Sequence, residues 1–270
     1  MHISHKQHYR ILNNLGIVRP IIFRCGFYYM SNQNSAITSS FLKCSQCGLV
    51  KLCLPLGLDS HDMSDLENII ESSPPYNDNQ SVFHADQSFK RIYAVKSGMF
   101  KTVVIDANGN EHIIGFHLPG ELFGLDAIYP KKYIYSAISL GTSSVCGINY
   151  TDLETLAGKL PSLQRQLFNL MSKEVHTSQT MTIEHAADQK LAGFILTLSS
   201  RYKQRGYSET RINLMMPRRD IANHLNMAAE TVSRLFKRFQ KEGLLDIKRT
   251  DLQITDMEAL KRLAGCASSC

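Results

Sequence analysis

"MPRRDIANHLNMAAETVSRLFKRFQKEGLLDIKRTDLQI", residues 216–254, decides how the rest of the chain is read. Pro217 opens a helix with its fixed φ, and Ile221, Ala222 and Leu225 follow on one side of it. Asn226-Met227 supplies a turn. From about Ala229 to Lys241, Val232, Leu235, Phe236 and Phe239 recur at intervals of three and four, the apolar face of a second helix. Glu230, Ser233, Arg234, Lys237 and Arg238 fall largely on the other face, and Gly243 ends the run. "LLDIKRTDLQI" then has the length and alternation of a small hairpin. Helix, turn, helix and hairpin in this order read as a winged helix-turn-helix, whose second helix enters the DNA major groove.

The side chains suit that task. Arg234 is a candidate for two hydrogen bonds to guanine, Glu230 for the amino group of cytosine, and Ser233 for a base or a thymine methyl. Lys237, Arg238 and Arg218 suit phosphates, which fix the register. Neither helix has Ser, Thr, Asp or Asn just before it. A missing N-cap costs about 1 kcal/mol, and a phosphate at the helix N-terminus offsets part of that on binding.

Charge points the same way. The formal charge of the 270-residue chain is +6, and residues 201–249 alone carry +7 and residues 1–29 +4. Basic ends on an acidic middle fit a polyanionic partner, here double-stranded DNA. No apolar run approaches the roughly 18 residues of a membrane span, and Asn, Arg and Pro interrupt "ILNNLGIVRPIIF" where a signal peptide would be continuous. A cytoplasmic protein with no membrane partner is expected. Residues 1–43 read as a flexible tail, with Met30 an alternative initiator, and 264–270 as a second tail.

From about 57 to 160 the chain reads as an all-β module. "IYAVKSGMFKTVVID" (92–106) is punctuated by Ser97-Gly98, Asn108-Gly109 is a strong hairpin signal, and Pro119-Gly120 a further break. "AISLGTSSVCGINY" (137–150) is again strand-like. Short strands with a turn about every ten residues favour a roll or barrel.

Helical sequence follows. Pro161 opens a helix that nothing breaks until about Ala186, and Asp188 opens another that stops at Gly206. Along the first, Phe168, Met171, Val175, Ser178, Thr182 and His185 step by three and four, a coiled-coil rhythm. Its second half is polar, so a weak dimer is expected. Leu163, Leu167 and Leu170 form another stripe, suited to the β module. The domains expected are a sensor module over 44–160, a dimerisation helix over 161–187 and a winged helix-turn-helix over 188–263.

"CSQCGLVKLC" (44–53) sets three of the seven cysteines within ten residues. In a cytosolic protein such a cluster is more often a metal or redox site than a set of disulfides.

On "CSQCGLVKLC", "YAVKSGMFK", "GFHLPGELFGLDAI", "SSVC" (143–146), "KEV" and "AETVSR", the chain from 44 to about 263 resembles the CRP/FNR superfamily of bacterial transcription regulators, and within it the oxygen-sensing FNR branch. The resemblance implies an α+β fold: an N-terminal cyclic-nucleotide-binding-like β-roll, a long dimerisation helix and a C-terminal winged helix-turn-helix. It implies that Cys44, Cys47, Cys53 and Cys146 hold a [4Fe-4S] cluster, the distant Cys146 being the fourth partner; Cys25, Cys266 and Cys270 match no ligand position. It implies an intact cluster that favours a homodimer on a palindrome like TTGAT-N4-ATCAA. Oxygen would convert the cluster to [2Fe-2S] and release the DNA. It implies RNA polymerase as a partner, touched by "DANGNE" (106–111), although Asn110 stands where a charge is common.

Two departures bear on this. The family often carries an acid in mid-seam where this chain has Ser178, so its cluster-free dimer is expected to persist further into oxygen. Glu121 of "PGEL" matches the sugar-binding acid of the cyclic-AMP branch, but no Arg occurs between 123 and 150 to hold the phosphate. No cyclic nucleotide is expected, and Glu121 reads as a turn residue. The competing readings are zinc or another effector in place of the cluster, unligated thiols, and a redox enzyme. The last lacks a nucleotide-binding glycine fingerprint or a catalytic constellation, so the chain is read as a non-enzyme.

Overall fold

A computed structural model of the chain describes residues 43–180 and 186–265. The tails expected at 1–43 and 264–270 therefore lie almost wholly outside the described residues, with Cys25, Cys266 and Cys270. So do Thr182 and His185 of the seam, and the side chain of Ser178 is not described.

A 3-10 turn at Cys44–Gln46 and helix α1 (Ser60–Asn68) lead into strands β1 (Ile70–Ser72), β2 (Ser81–Phe83), β3 (Arg91–Ile105), β4 (Glu111–His117), β5 (Leu122–Phe123) and β6 (Ser136–Asn149). These make one antiparallel sheet in the order β1-β6-β3-β4, with β2 also on β6 and β5 on β3. Helices α2 (Tyr150–Lys159), α3 (Pro161–Thr180) and α4 (Ala187–Gln204) follow. Strand β7 (Arg211–Asn213), α5 (Arg218–His224), α6 (Ala229–Lys241), β8 (Leu245–Lys248), β9 (Asp251–Ile254) and α7 (Met257–Leu263) complete the fold, with a second sheet ordered β7-β9-β8.

The module read as all-β carries a helix at each end. Asp59 caps α1, its carboxylate accepting the N–H groups of His61 (2.9 Å) and Asp62 (2.8 Å). Asn149 caps α2 through the N–H of Thr151 at 2.9 Å. Ser97-Gly98, read as a break, instead bends the single long strand β3, whose pairing with β6 shifts register on either side of Ser97. Gly98 has φ +75°, and a Cβ there would fall 2.7 Å from Ser143 Cα, so only glycine lets the two backbones meet. Asn108-Gly109 forms the β3–β4 hairpin, Asp106 N–H donating to Asn110 O at 2.9 Å.

Two apolar cores fill the roll. One is aromatic, with Phe83, Phe100, Phe123, Tyr133 and Tyr135 buried between the strands. The other joins Leu54, Leu66, Ile92, Leu122 and Ile148 to Leu153, Leu156 and Leu163 of α2 and α3, with Leu167 and Leu170 against it. The inner leucine stripe of α3 thus packs on the roll. A third core runs from Met99, Ile113, Phe116 and Leu118 of the roll into Ile195, Ile221, Val232 and Phe239 of the C-terminal part.

Candidate nucleic-acid interface and cysteine site

Helix α6 buries Val232, Leu235, Phe236 and Phe239, while Glu230, Arg234, Lys237 and Arg238 are exposed. Asn226, in the left-handed region at φ +53°, makes the turn from α5, and Met227 N–H reaches back to Ala222 O at 2.9 Å. Neither helix has a side-chain cap. Arg234 and Lys237 have no ion-pair or hydrogen-bond partner among the described residues, so both are free to meet DNA. The other candidates are more constrained. Ser233 Oγ donates to Ala229 O of its own helix at 2.8 Å. Arg238 pairs with Asp188 at 2.9 Å and with Glu242 at 3.6 Å, and must loosen these to grip a phosphate. The Arg218 guanidinium lies 3.6 Å over the Phe236 ring. Its Nη1 is buried without a hydrogen-bond partner among the described residues, and burial lowers its pKa.

The cysteine loop lies against the roll. Ser45 N–H donates to Glu67 Oε1 at 2.8 Å, Leu54 is fully buried, and a Cβ on Gly120, at φ +88°, would stand 3.0 Å from Leu52 Cβ. Strand β6 supplies Cys146, opposite Ser72 of β1 and Ala94 of β3. Cys44, Cys47, Cys53 and Cys146 are all half-buried and unbridged. Burial pushes the Cys44 and Cys53 thiols up to about 12, with the other thiols of the group adding to it. The Cys146 thiol is also raised by burial, against the pull of Lys96. The four therefore sit within electrostatic reach of one another. Among the described residues, no three His, Cys, Asp or Glu side chains stand close enough to hold a single ion.

On α3, Phe168 is 63% exposed, Met171 37% and Val175 58%, an apolar stripe opposite the leucines that pack on the roll. At the β3–β4 hairpin the Asp106 carboxylate accepts from His112 (3.0 Å) and from the Asn110 side chain and backbone (3.0 and 2.9 Å). His112 first, then Asn110, hold that carboxyl well below the usual range.

Glu121 is more than a turn residue. Its carboxylate accepts Leu118 N–H at 3.0 Å, Arg201 Nε at 2.9 Å and Arg205 Nη2 at 2.6 Å. Burial raises its pKa, but Arg201 and then Arg205 overcome that and hold it at about 2. A second ion cluster was equally unforeseen: Lys101 Nζ donates to Asp220 at 3.0 Å and to Glu111 at 2.9 Å. No local sequence signal marks either, because the partners stand far apart along the chain.

A β-roll joined by a long helix to a winged helix-turn-helix with an open basic face defines a DNA-binding transcription regulator. Residues 75–159 match the family model described as a cyclic nucleotide-binding domain, and residues 189–263 that of the Crp-like helix-turn-helix domain. The fumarate and nitrate reduction regulatory protein of Escherichia coli (strain K12) is 41% identical over 227 residues, 83% of this chain and 91% of that protein. That of Yersinia pestis matches to the same extent. In fold the chain is similar to FixK2 from Bradyrhizobium japonicum, with a TM-score of 0.67 and 23% identity over 75% of this chain and all of that one. It is similar also to a CooA mutant from Carboxydothermus hydrogenoformans, with a TM-score of 0.62 and 14% identity over 79% and 95% of the two chains. The chain belongs to the CRP/FNR family of transcription regulators, on its FNR branch, and is not an enzyme. No helix among the described residues is long and apolar enough to cross a membrane.

Proposed function

We propose that this chain regulates transcription in response to oxygen, through a [4Fe-4S] cluster held by Cys44, Cys47, Cys53 and Cys146. The observation that carries the reading is that Cys53 of the loop and Cys146 of β6 pack against one apolar core, with Cys44 and Cys47 in the same loop and all four half-buried. The donor set fits. Four thiolates are the ligand set that an iron–sulfur cluster takes, and these four are unbridged. When bound, the cluster would supply an oxygen-labile core that ties the loop to the strand through its thiolate ligands.

The chain's own residues would do the rest. Cys53 and Cys146 pack against the same apolar core as Leu163, Leu167 and Leu170, so the packing of the loop bears on the seat of α3. The outer stripe of Phe168, Met171 and Val175 meets its copy in a homodimer, and by sequence spacing alone Ser178, Thr182 and His185 continue its rhythm. Covering such side chains contributes about 25 cal/mol per Å² of apolar surface. With a polar second half, the seam is weak enough for a few kcal/mol to change its state. Two α6 helices then read a palindrome like TTGAT-N4-ATCAA, with Arg234, Glu230 and Ser233 at bases and Lys237, Arg238 and Arg218 at phosphates. The name of the 41%-identical relatives, fumarate and nitrate reduction regulatory protein, fits anaerobic control. RNA polymerase is the expected partner at the 106–111 hairpin. No cyclic nucleotide is required, since Glu121 is engaged by Arg201 and Arg205.

Anaerobically prepared protein tests this. The expected result is about four irons and four sulfides per chain, with a visible absorption that bleaches in air and is absent from Cys146→Ser. Colourless protein with one zinc per chain would instead favour a metal-stabilised regulator with another effector.

A further inference from the structure

In the homodimer proposed above the axis runs along the α3 seam, whereas the reading helix is α6. In that reading its distance from the axis is set through a chain of contacts: α3 on the roll, the roll on α4 and α5, and both α5 and α4 on α6. The link from the roll to α4 and α5 is unusual because two ion clusters are built into it. Lys101, from the long strand β3, is 7% exposed at its side chain and meets Asp220 of α5, 4% exposed, at 3.0 Å. Glu121, at the turn before β5, meets Arg201 of α4 and Arg205 at the end of that helix, and the Arg205 side chain is only 2% exposed. Arg205 Nε also donates to Pro119 O at 2.8 Å. Between the clusters, Asn223 accepts Ile113 N–H and donates to Glu111 O, both at 2.6 Å, and His224 Nδ1 lies 3.1 Å from Ile113 O. Phe116 and Phe194 add an apolar contact.

Apolar packing alone would hold these surfaces together. Burying ions there adds little net stability, because desolvation consumes most of the attraction between them. What charge pairs supply is orientation: a sideways shift of an ångström or two leaves buried charges unmatched, whereas apolar surfaces slide at small cost. The clusters leave the DNA face open, since Glu230, Arg234 and Lys237 stay exposed. They therefore cannot act by covering it.

We propose that the Lys101–Asp220 and Glu121–Arg201–Arg205 clusters are positioning devices that fix how each reading helix stands relative to the dimer axis, and so make the protein selective for the spacing between half-sites. This rests on the homodimeric, palindrome-binding reading above. The ions touch no DNA; they act through the orientation of α4 and α5.

The test uses full-length, anaerobically prepared protein and a series of palindromes whose spacer is lengthened or shortened by one and two base pairs. Wild type binds its own spacing best. The double variant Lys101→Met/Asp220→Leu removes both ions at similar volume. Its ratio of affinity for native over shifted spacing is expected to fall about tenfold, with thermal midpoint and binding to random DNA essentially unchanged. Glu121→Gln, which weakens the second cluster while the first is intact, moves the ratio the same way, and the single variant Lys101→Arg, which keeps the charge, keeps the wild-type ratio. Unchanged spacing selectivity in both variants overturns the proposal while the dimeric reading stands. So does a uniform loss on every DNA that tracks a lowered midpoint, which marks a merely structural role. A wild type indifferent to spacing defeats the palindrome reading itself, and this inference with it.

Discussion

Replacing Arg234 by Ala is the sharpest probe of the reading helix. The side chain is exposed on α6 and has no intramolecular partner among the described residues, so its removal leaves no charge orphaned inside the protein. The monomer should keep its stability to within about 0.5 kcal/mol. A bidentate contact to guanine is worth about 1–3 kcal/mol of discrimination. A palindrome presents two copies, so the dimer should lose about 2–6 kcal/mol, roughly 30-fold to more than 10⁴-fold in affinity. The loss should be confined to sites with the preferred base pair, because random DNA is held mainly by phosphate contacts. Lys237→Ala gives the contrast: a similar proportional loss on all sequences and a shallower salt dependence. Arg238→Ala should fall below both, since Arg238 already spends its charge on Asp188 and Glu242. Anaerobic fluorescence anisotropy on the palindrome, on its single-base variants and on random DNA separates the cases. Equal losses for Arg234→Ala on all three would refute base readout by that residue.

Three further outcomes are expected. His117 is half-buried, with its Nε2 3.2 Å from Thr102 Oγ1, and its pKa falls from 6.5 to about 4 chiefly through desolvation, with Glu121 opposing and Arg201 and His224 assisting. The folded-state value being depressed, stability is complete above pH 6.5 and declines as the pH falls to 4, by about 3 kcal/mol; urea midpoints should show this slope, and His117→Asn should flatten it. Gly98→Ala should destabilise the roll by about 2–4 kcal/mol, combining positive-φ strain with a backbone clash at Ser143; an unchanged thermal midpoint would contradict that geometry. Phe168→Ala, at a position 63% exposed in the monomer, should weaken dimerisation by about 1–3 kcal/mol at constant monomer stability, measured by anaerobic sedimentation; wild-type dimerisation would place the seam elsewhere.

The C-terminal module was legible because its signals are local. A three-four apolar rhythm, Asn226 at the turn and Gly243 at the stop delimit α6 as Ala229–Lys241, where the sequence placed it. Asn108-Gly109 announced its hairpin in the same way. Helices α1 and α2 were missed because each is short and buries little, only Leu66 in the first and Leu153 and Leu156 in the second. Their Asp59 and Asn149 caps were the available signals. Ser97-Gly98 was read as an interruption because glycine marks a turn and a bulge alike; only the opposing Ser143 decides between them. Glu121 was placed in its turn but not given its partners. Arg201 and Arg205 lie on a different element, and no local pattern carries pairing at that distance. The same limit applied to Lys101, a cation inside a strand, whose burial makes sense only once Asp220 stands beside it.

The coupling of the four thiols to the dimer is the claim on which the account turns. Its most direct measurement is sedimentation equilibrium of one anaerobic preparation before and after brief exposure to air, with palindrome affinity read on the same samples and on Cys146→Ser. The account predicts a dimer with tight binding before air, and after air a shift toward monomer with parallel loss of affinity. Cys146→Ser should resemble the air-exposed protein from the start. Identical mass and affinity in all three samples would contradict it.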